Sequence, residues 1–362
     1  MKIFKKLLTV FLIILLLLAA FIAYHLQTNA IVTTEEIIPT AEAEQIQSLV
    51  KKTVNIVDVL KTSYASRFAH AKGHACVKAY VDVNQDIDPK LQYGVLQKVG
   101  ARYKSWIRFS NSSSNMKETD DRTRDARGMA IKLLNVSENL NGGNTQEFIA
   151  HNSPIFFAAS VDDFNQFLAS KGDLTYFVQG YNPFKWRLRE LWRLVTALSP
   201  PPKSPLWTQY FSNTAYKLGP NSIKFMMQSC GLPKNIGSED TKDPNLLKNN
   251  LAKELTEGEA CMQLMVQLQD AKKKMPIEDA TILWKESDSP FLPVAKITIL
   301  KQQFDTQEQQ HFCENLSFSP WNALEAHRPI GALNRARKWA YEASSNYRHQ
   351  LNKTTVPQSL DW

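Results

Sequence analysis

The tightest constraint on the fold is a set of short strand-like stretches spread over the first 300 residues. They fall at 75–83, 105–111, 126–134, 147–152, 261–268 and 294–300. The first, Ala75-Cys-Val-Lys-Ala-Tyr-Val-Asp-Val83, alternates side chains at the period of two that a β-strand requires. Strands this numerous leave unpaired edges unless the sheet closes on itself, so an antiparallel barrel is the natural arrangement. Helical patterns flank the strands and follow them, which makes the class α+β: a barrel core with surrounding helices.

The helical stretches carry their own spacing. Over 41–63, Ile46, Leu49, Val50, Val54, Val57 and Leu60 recur at helical intervals, and 161–170 places Phe164 and Phe167 on one side. From 184 to 198, Phe184, Leu188, Leu191, Trp192, Val195 and Leu198 share a face, with Arg187, Arg189 and Arg193 elsewhere. That face suits packing on the body or burial in a membrane surface. Pro200-Pro-Pro202 ends the helix, and 233–258 reads as polar loop or short helix.

At the N-terminus, Lys2, Lys5 and Lys6 precede an apolar run from Leu7 to Tyr24. Its length suffices to cross a bilayer as a helix, so 1–26 reads as a membrane anchor or a signal sequence. The lysines before the run keep the N-terminus in the cytoplasm, and Glu35 and Glu36 follow it. In a bacterium this gives an inner-membrane protein with one N-terminal span and its main domain in the periplasm. Residues 27–40 then read as a tether, 41–352 as the main domain and 353–362 as a tail. Net charge is +8 but scattered, with no basic stripe or nucleic-acid module, so no nucleic-acid partner is expected. Cys76, Cys230, Cys261 and Cys313 form no CxxC pair, which argues against a zinc site; their disulfide pairing does not follow from spacing.

Chemistry first shows in Arg337-Lys-Trp-Ala-Tyr341. On a helix, Arg337 and Tyr341 lie on one face, four residues apart. A guanidinium beside a phenol favours the phenolate, and tyrosinate is an axial ligand of haem iron. Arg348 follows two turns along that face, within reach of a propionate.

These residues join others in order. Arg67-Phe-Ala-His70-Ala-Lys-Gly73, Trp106-Ile-Arg108-Phe-Ser110, Arg124-Asp-Ala-Arg127-Gly128, Ser153-Pro-Ile-Phe-Phe157 with Phe164, Phe291-Leu-Pro-Val-Ala-Lys296, Phe318-Ser-Pro320 and the Arg337–Tyr341–Arg348 set together resemble the haem-dependent catalase family. The resemblance covers about residues 60 to 350. Asn334-Arg-Ala-Arg337 and Tyr341-Glu-Ala-Ser-Ser345 look like a small bacterial catalase-related subgroup.

The resemblance implies haem b as cofactor, with Tyr341 as the iron ligand and Arg337 keeping it ionised. It implies His70 as the distal acid/base, Arg67, Arg108 and Arg348 at the propionates, and Phe156 and Phe164 packed near the haem. Where the family has a distal asparagine this chain has His151, followed by Asn152. Either Asn152 takes over through a register change, or the amide is lost and His151 stands in its place. The polar Asn111-Ser-Ser-Ser114 stretch replaces a usual apolar residue of the channel, which would admit larger hydroperoxides. The resemblance does not extend to a C-terminal flavodoxin-like region, so NADPH binding is not expected. The implied activity is breakdown of hydrogen peroxide or organic hydroperoxides by a membrane-tethered enzyme, with lipid hydroperoxide among the candidate substrates. The alternatives are a fatty-acid hydroperoxide isomerase and a non-catalytic haem-binding or sensing protein.

Overall fold

The computed structural model describes residues 2–26, 32–114, 120–231 and 242–357. After a first helix α1 (Lys2–Leu26) and a second, α2 (Glu42–Leu60), the chain enters the strands β1 (Gly73–Val83), β2 (Arg102–Asn111), β3 (Arg127–Leu133) and β4 (Gln146–His151). Helices α3 (Val161–Ala169) and α4 (Leu188–Ala197) intervene before β5 (Tyr210–Phe211), β6 (Tyr216–Leu218) and β7 (Asn221–Ser229). Helix α5 (Leu246–Glu257), strands β8 (Ala260–Leu268) and β9 (Phe291–Ile299), and helices α6 (Gln307–Asn315) and α7 (Ala332–Asn352) complete it.

Pairing runs β5-β4-β3-β2-β1-β9-β8-β7-β6, and β5 also pairs β7. The contact of Tyr210 and Phe211 with Met227 and Met226 closes the ring, so eight antiparallel strands form a barrel and β6 extends β7 beyond it. The expected α+β architecture is what the chain adopts.

Alternation decides which side chains fill the barrel. Ile107 and Phe109 of β2, Met129 and Ile131 of β3, Phe148 and Ala150 of β4, and Phe225 and Met227 of β7 belong to one buried cluster. Their neighbours Arg108, Ser110, Gly128, Ala130, Ile149 and His151 therefore point outward, toward the helices. Helix α7 packs beside this outer surface. Ala332, Leu333, Ala336 and Ala340 form a buried cluster with Leu49 of α2 and Val161 of α3. Three of those four α7 residues are alanines, which lets the helices approach closely.

One disulfide, Cys76 to Cys313, ties the shell to the barrel by linking β1 to α6, and a second, Cys230 to Cys261, joins the end of β7 to β8. Part of the stretch read as a tether is held on the body. The Glu36 carboxylate accepts from Arg328 and Arg335 at 2.7 Å each and from the Gly331 N–H at 2.9 Å.

Candidate functional site

His70 sits in the segment between α2 and β1 with φ 56°, the left-handed region that non-glycine residues rarely occupy. Such a backbone persists only when its surroundings fix it. Here the His70 N–H donates to Ser112 O at 3.0 Å, and its carbonyl accepts from Arg108 Nη2 at 2.9 Å. Its Nδ1 lies 3.0 Å from Ser110 Oγ. The imidazole lies against Gly128, where a β-carbon would stand 2.6 Å from Cε1. Glycine at 128 is thus the condition for the ring to lie there. Burial first, then the neighbouring His151, Arg108 and Arg337, push the His70 imidazole down to about 3, so the ring is neutral near pH 7.

Across the cavity, α7 delivers Tyr341. Arg337 Nη2 donates to Tyr341 Oη at 3.2 Å, as their helical spacing predicts. Arg337 Nη1 donates to Asn334 Oδ1 at 3.0 Å, Tyr216 Oη at 3.2 Å and Thr214 Oγ1 at 3.4 Å. All these acceptors are neutral side chains, so the charge of Arg337 is not consumed by a carboxylate among them. Phe68 meets the Tyr341 ring edge-on at 6.2 Å between centroids.

A third group gathers cations. Arg67 Nη1 pairs with Glu314 Oε2 at 2.9 Å, and Arg67 Nη2 donates to the Leu316 and Cys313 carbonyls at 2.7 and 3.0 Å. Arg348 Nη1 donates to the Glu314 carbonyl at 2.6 Å. Arg108 belongs to the same electrostatic cluster: burial, then Arg67, lower its guanidinium to about 9, against the pull of Glu314. Burial, then Arg67, also lower Arg348 to about 10. The Arg108 Nε is buried without a hydrogen-bond partner. Three guanidiniums thus share one carboxylate, and the site has charge left for an anionic ligand. The Cys76–Cys313 bridge anchors this cluster, because Cys76 pairs in register with Arg108 and Cys313 lends its carbonyl to Arg67.

Arg67, His70, Arg108, Tyr341 and Arg348 all line one cavity, together with Phe68, Ser110, Gly128 and Phe318. Arg337 stands behind Tyr341 instead of lining it. Phe156 and Phe164, expected near a cofactor, do not line this cavity. They meet edge-on at 5.4 Å and pack against the α2–α3–α7 cluster, Phe164 from α3 itself and Phe156 from the segment before it, whose N–H donates to the Ala280 carbonyl at 2.9 Å.

β3 and β4 pair without a shift, and His151 stands opposite Gly128, on the outward rung that also holds Ser110. The Asn152 amide turns away from it: Oδ1 accepts from Arg127 N at 2.8 Å and Nδ2 donates to Ser199 Oγ at 2.7 Å. His151 Nδ1 accepts from the Ser153 N–H at 3.1 Å, which leaves the ring proton on Nε2. Burial, then Arg337, lower this imidazole to about 4. Glu314 and Tyr216 escaped the sequence reading, since a lone glutamate in a polar helix and a tyrosine in a three-residue strand carry no local signal.

Residues 55–174 match the family model described as Catalase. Among curated proteins, the chain is 23% identical over 322 residues to the peroxisomal catalase of Toxoplasma gondii, covering 82% of this chain and 61% of that protein. It is 24% identical over 290 residues to Catalase-2 of Caenorhabditis elegans, covering 72% and 56%. The chain therefore spans about three fifths of the curated relatives it matches. Among solved structures, a fungal catalase superposes with TM-score 0.61 at 18% identity, over 91% of this chain and 70% of that one. Catalase A from Saccharomyces cerevisiae gives TM-score 0.61 at 19% identity, over 90% and 70%. The segment match and the curated relatives show that this chain is similar to catalases, and the shared barrel shows that it has their fold.

Proposed function

We propose that this chain is a haem-dependent oxidoreductase that breaks down hydrogen peroxide or organic hydroperoxides. The observation that carries the reading is the single cavity lined by His70, Tyr341 and three arginines outside the barrel. The residues fit a haem: three guanidiniums with one carboxylate, and an unpartnered Arg108 Nε, suit the two propionates of haem b. Tyr341 would hold the iron, with Arg337 positioning its oxygen. Phe156 and Phe164 would act only by backing α7.

Bound haem would supply the redox chemistry on the peroxide. His70, neutral and held from its backbone and through Ser110, takes a proton from one peroxide oxygen and returns it to the other. His151, with its proton held on Nε2 by Ser153, offers an N–H donor where the family resemblance expects an amide. Its role is to orient peroxide, and Asn152 has none. The test is a pair of variants. His151→Asn should keep peroxide turnover, whereas His151→Leu should slow it at an unchanged haem content; equal rates for the two would remove the donor role.

The finer assignments are part of the same proposal. Residues 41–352 form the haem domain. The small bacterial catalase-related subgroup is supported by the Asn334–Arg337 and Tyr341–Ser345 stretches. Attachment to a bacterial inner membrane, with the domain in the periplasm, is supported by α1, whose stretch from Phe4 to His25 is long and apolar enough to cross a bilayer, and by two disulfides. Retention of the chain in carbonate-washed membranes tests the attachment.

A further inference from the structure

Outside α1, thirteen large apolar side chains are exposed among the described residues, and six of them lie between Leu174 and Val195. They are Leu174, Val178, Tyr181, Phe184, Trp192 and Val195. Trp192 is 66% exposed and Tyr181 fully so. Soluble proteins scatter such residues singly, and a cluster signals a surface with a partner. The sequence spacing ran one helix from 184 to 198. Instead the chain makes a 3-10 turn at Pro183–Lys185 before α4 begins at Leu188. That break lifts Phe184 off the helix axis while Trp192 and Val195, three residues apart, share one face of α4.

The end of α1 meets this patch. Phe21 and Tyr24 contact the Phe184 ring edge-on at 5.6 and 5.4 Å, and His25 Nε2 donates to the Pro183 carbonyl at 3.0 Å. The 22-residue stretch from Phe4 to His25, predominantly apolar from Leu7 onward, is not buried by the rest of the chain. As a helix they extend about 33 Å, close to the hydrocarbon thickness of a bilayer. The helix would therefore leave the bilayer where Phe184 stands. Tyr181, Phe184 and Trp192, with Lys185 alongside, are the residue types that settle at the lipid headgroup level.

We infer that the Leu174–Val195 face docks on the lipid bilayer at the exit point of α1, holding the domain against the membrane in one orientation. This rests on the reading of α1 as a span. The partner is the lipid surface itself, because the patch is continuous with the one helix in the described chain long and apolar enough to cross it.

The experiment uses the full chain in vesicles of phosphatidylcholine and phosphatidylglycerol, with and without brominated phosphatidylcholine, which quenches tryptophan on contact. Helix α1 contains no tryptophan, so quenching reports the body alone. The wild type should be quenched, Trp192→Phe should lose the larger part of that quenching, and Trp339→Phe, which removes a second exposed tryptophan on α7, should retain it. The double variant Trp192→Glu, Val195→Glu should stay with the vesicles through α1 yet lose the quenching of Trp186, whose indole N–H donates to the Gly180 carbonyl within the patch segment. A chain that resists carbonate washing but shows equal quenching in wild type and Trp192→Phe overturns the docking surface alone. A chain that washes off overturns the span, and the docking with it.

Discussion

Arg108 Nη2 donates to the backbone carbonyl of His70 at 2.9 Å, so one residue of the cationic cluster also fixes the left-handed backbone that presents the imidazole. Its Nε remains free for an anion. Arg108→Ala should therefore damage two functions at once. A hydrogen bond to a charged group contributes about 1.5–3 kcal/mol, so haem affinity should fall by roughly tenfold to a hundredfold. Arg108→Lys keeps the charge without the fork and should fall between. Haem titration followed in the Soret band measures both; equal affinity in wild type and Arg108→Ala would remove the arginine from the site.

Tyr341→Phe removes the hydroxyl that Arg337 meets at 3.2 Å. The half-buried ring stays, so unfolding stability should change by no more than about 1 kcal/mol. The optical spectrum of the haem-loaded protein should shift to that of a different axial ligand. An unchanged spectrum would contradict the ligand assignment. Arg337→Ala should alter the same spectrum while leaving Tyr341 in place.

Gly128→Ala tests the packing of the distal ring. The added methyl would stand 2.6 Å from His70 Cε1 and 2.9 Å from Ser110 Oγ, too close for either to stay. His70 must tilt, and the peroxide reaction should slow at least about tenfold while haem binding persists, since misplacement of a catalytic group by about an ångström is costly. Stopped-flow reaction of haem-loaded protein with peroxide measures it; a wild-type rate would show that the ring position is unimportant.

Acid sensitivity follows from buried imidazoles. Burial lowers His74 and His327 to about 4 from the ordinary 6.5. Both stay neutral in the folded chain where the unfolded chain binds protons. Protons then favour the unfolded state, so stability is full above pH 6.5 and falls as pH drops from 6.5 toward 4. Each group contributes up to about 1.4 kcal/mol per pH unit in that window. His327→Gln should flatten part of the decline in the thermal midpoint, and an unchanged slope would show that His327 is not involved.

Much of the barrel was legible because β1, β2, β3, β4, β8 and β9 are long enough to show their pattern. β5 and β6 were not, since two or three residues carry no period; yet Tyr210 and Phe211 close the ring. β7 was hidden by the apolar run Phe225-Met226-Met227, which masks alternation. At the site, the contact between Arg337 and Tyr341 was readable from spacing, because a helix fixes its own geometry, whereas the role expected of Tyr341 came from the family resemblance. Which of His151 and Asn152 faces His70 depends on the β3–β4 register, and Glu314 depends on where α6 ends against β1. Both are set by long-range pairing, as are the disulfides.

The proposed function joins His70 and Tyr341 in one peroxide-consuming haem site. The most direct measurement is oxygen release from hydrogen peroxide by the haem-loaded chain, made beside His70→Ala at matched haem content. The expected result is oxygen release by the wild type, and its loss in His70→Ala with the resting haem spectrum unchanged. No oxygen release by the haem-loaded wild type, with no change of its haem spectrum on adding hydrogen peroxide or an organic hydroperoxide, would contradict it.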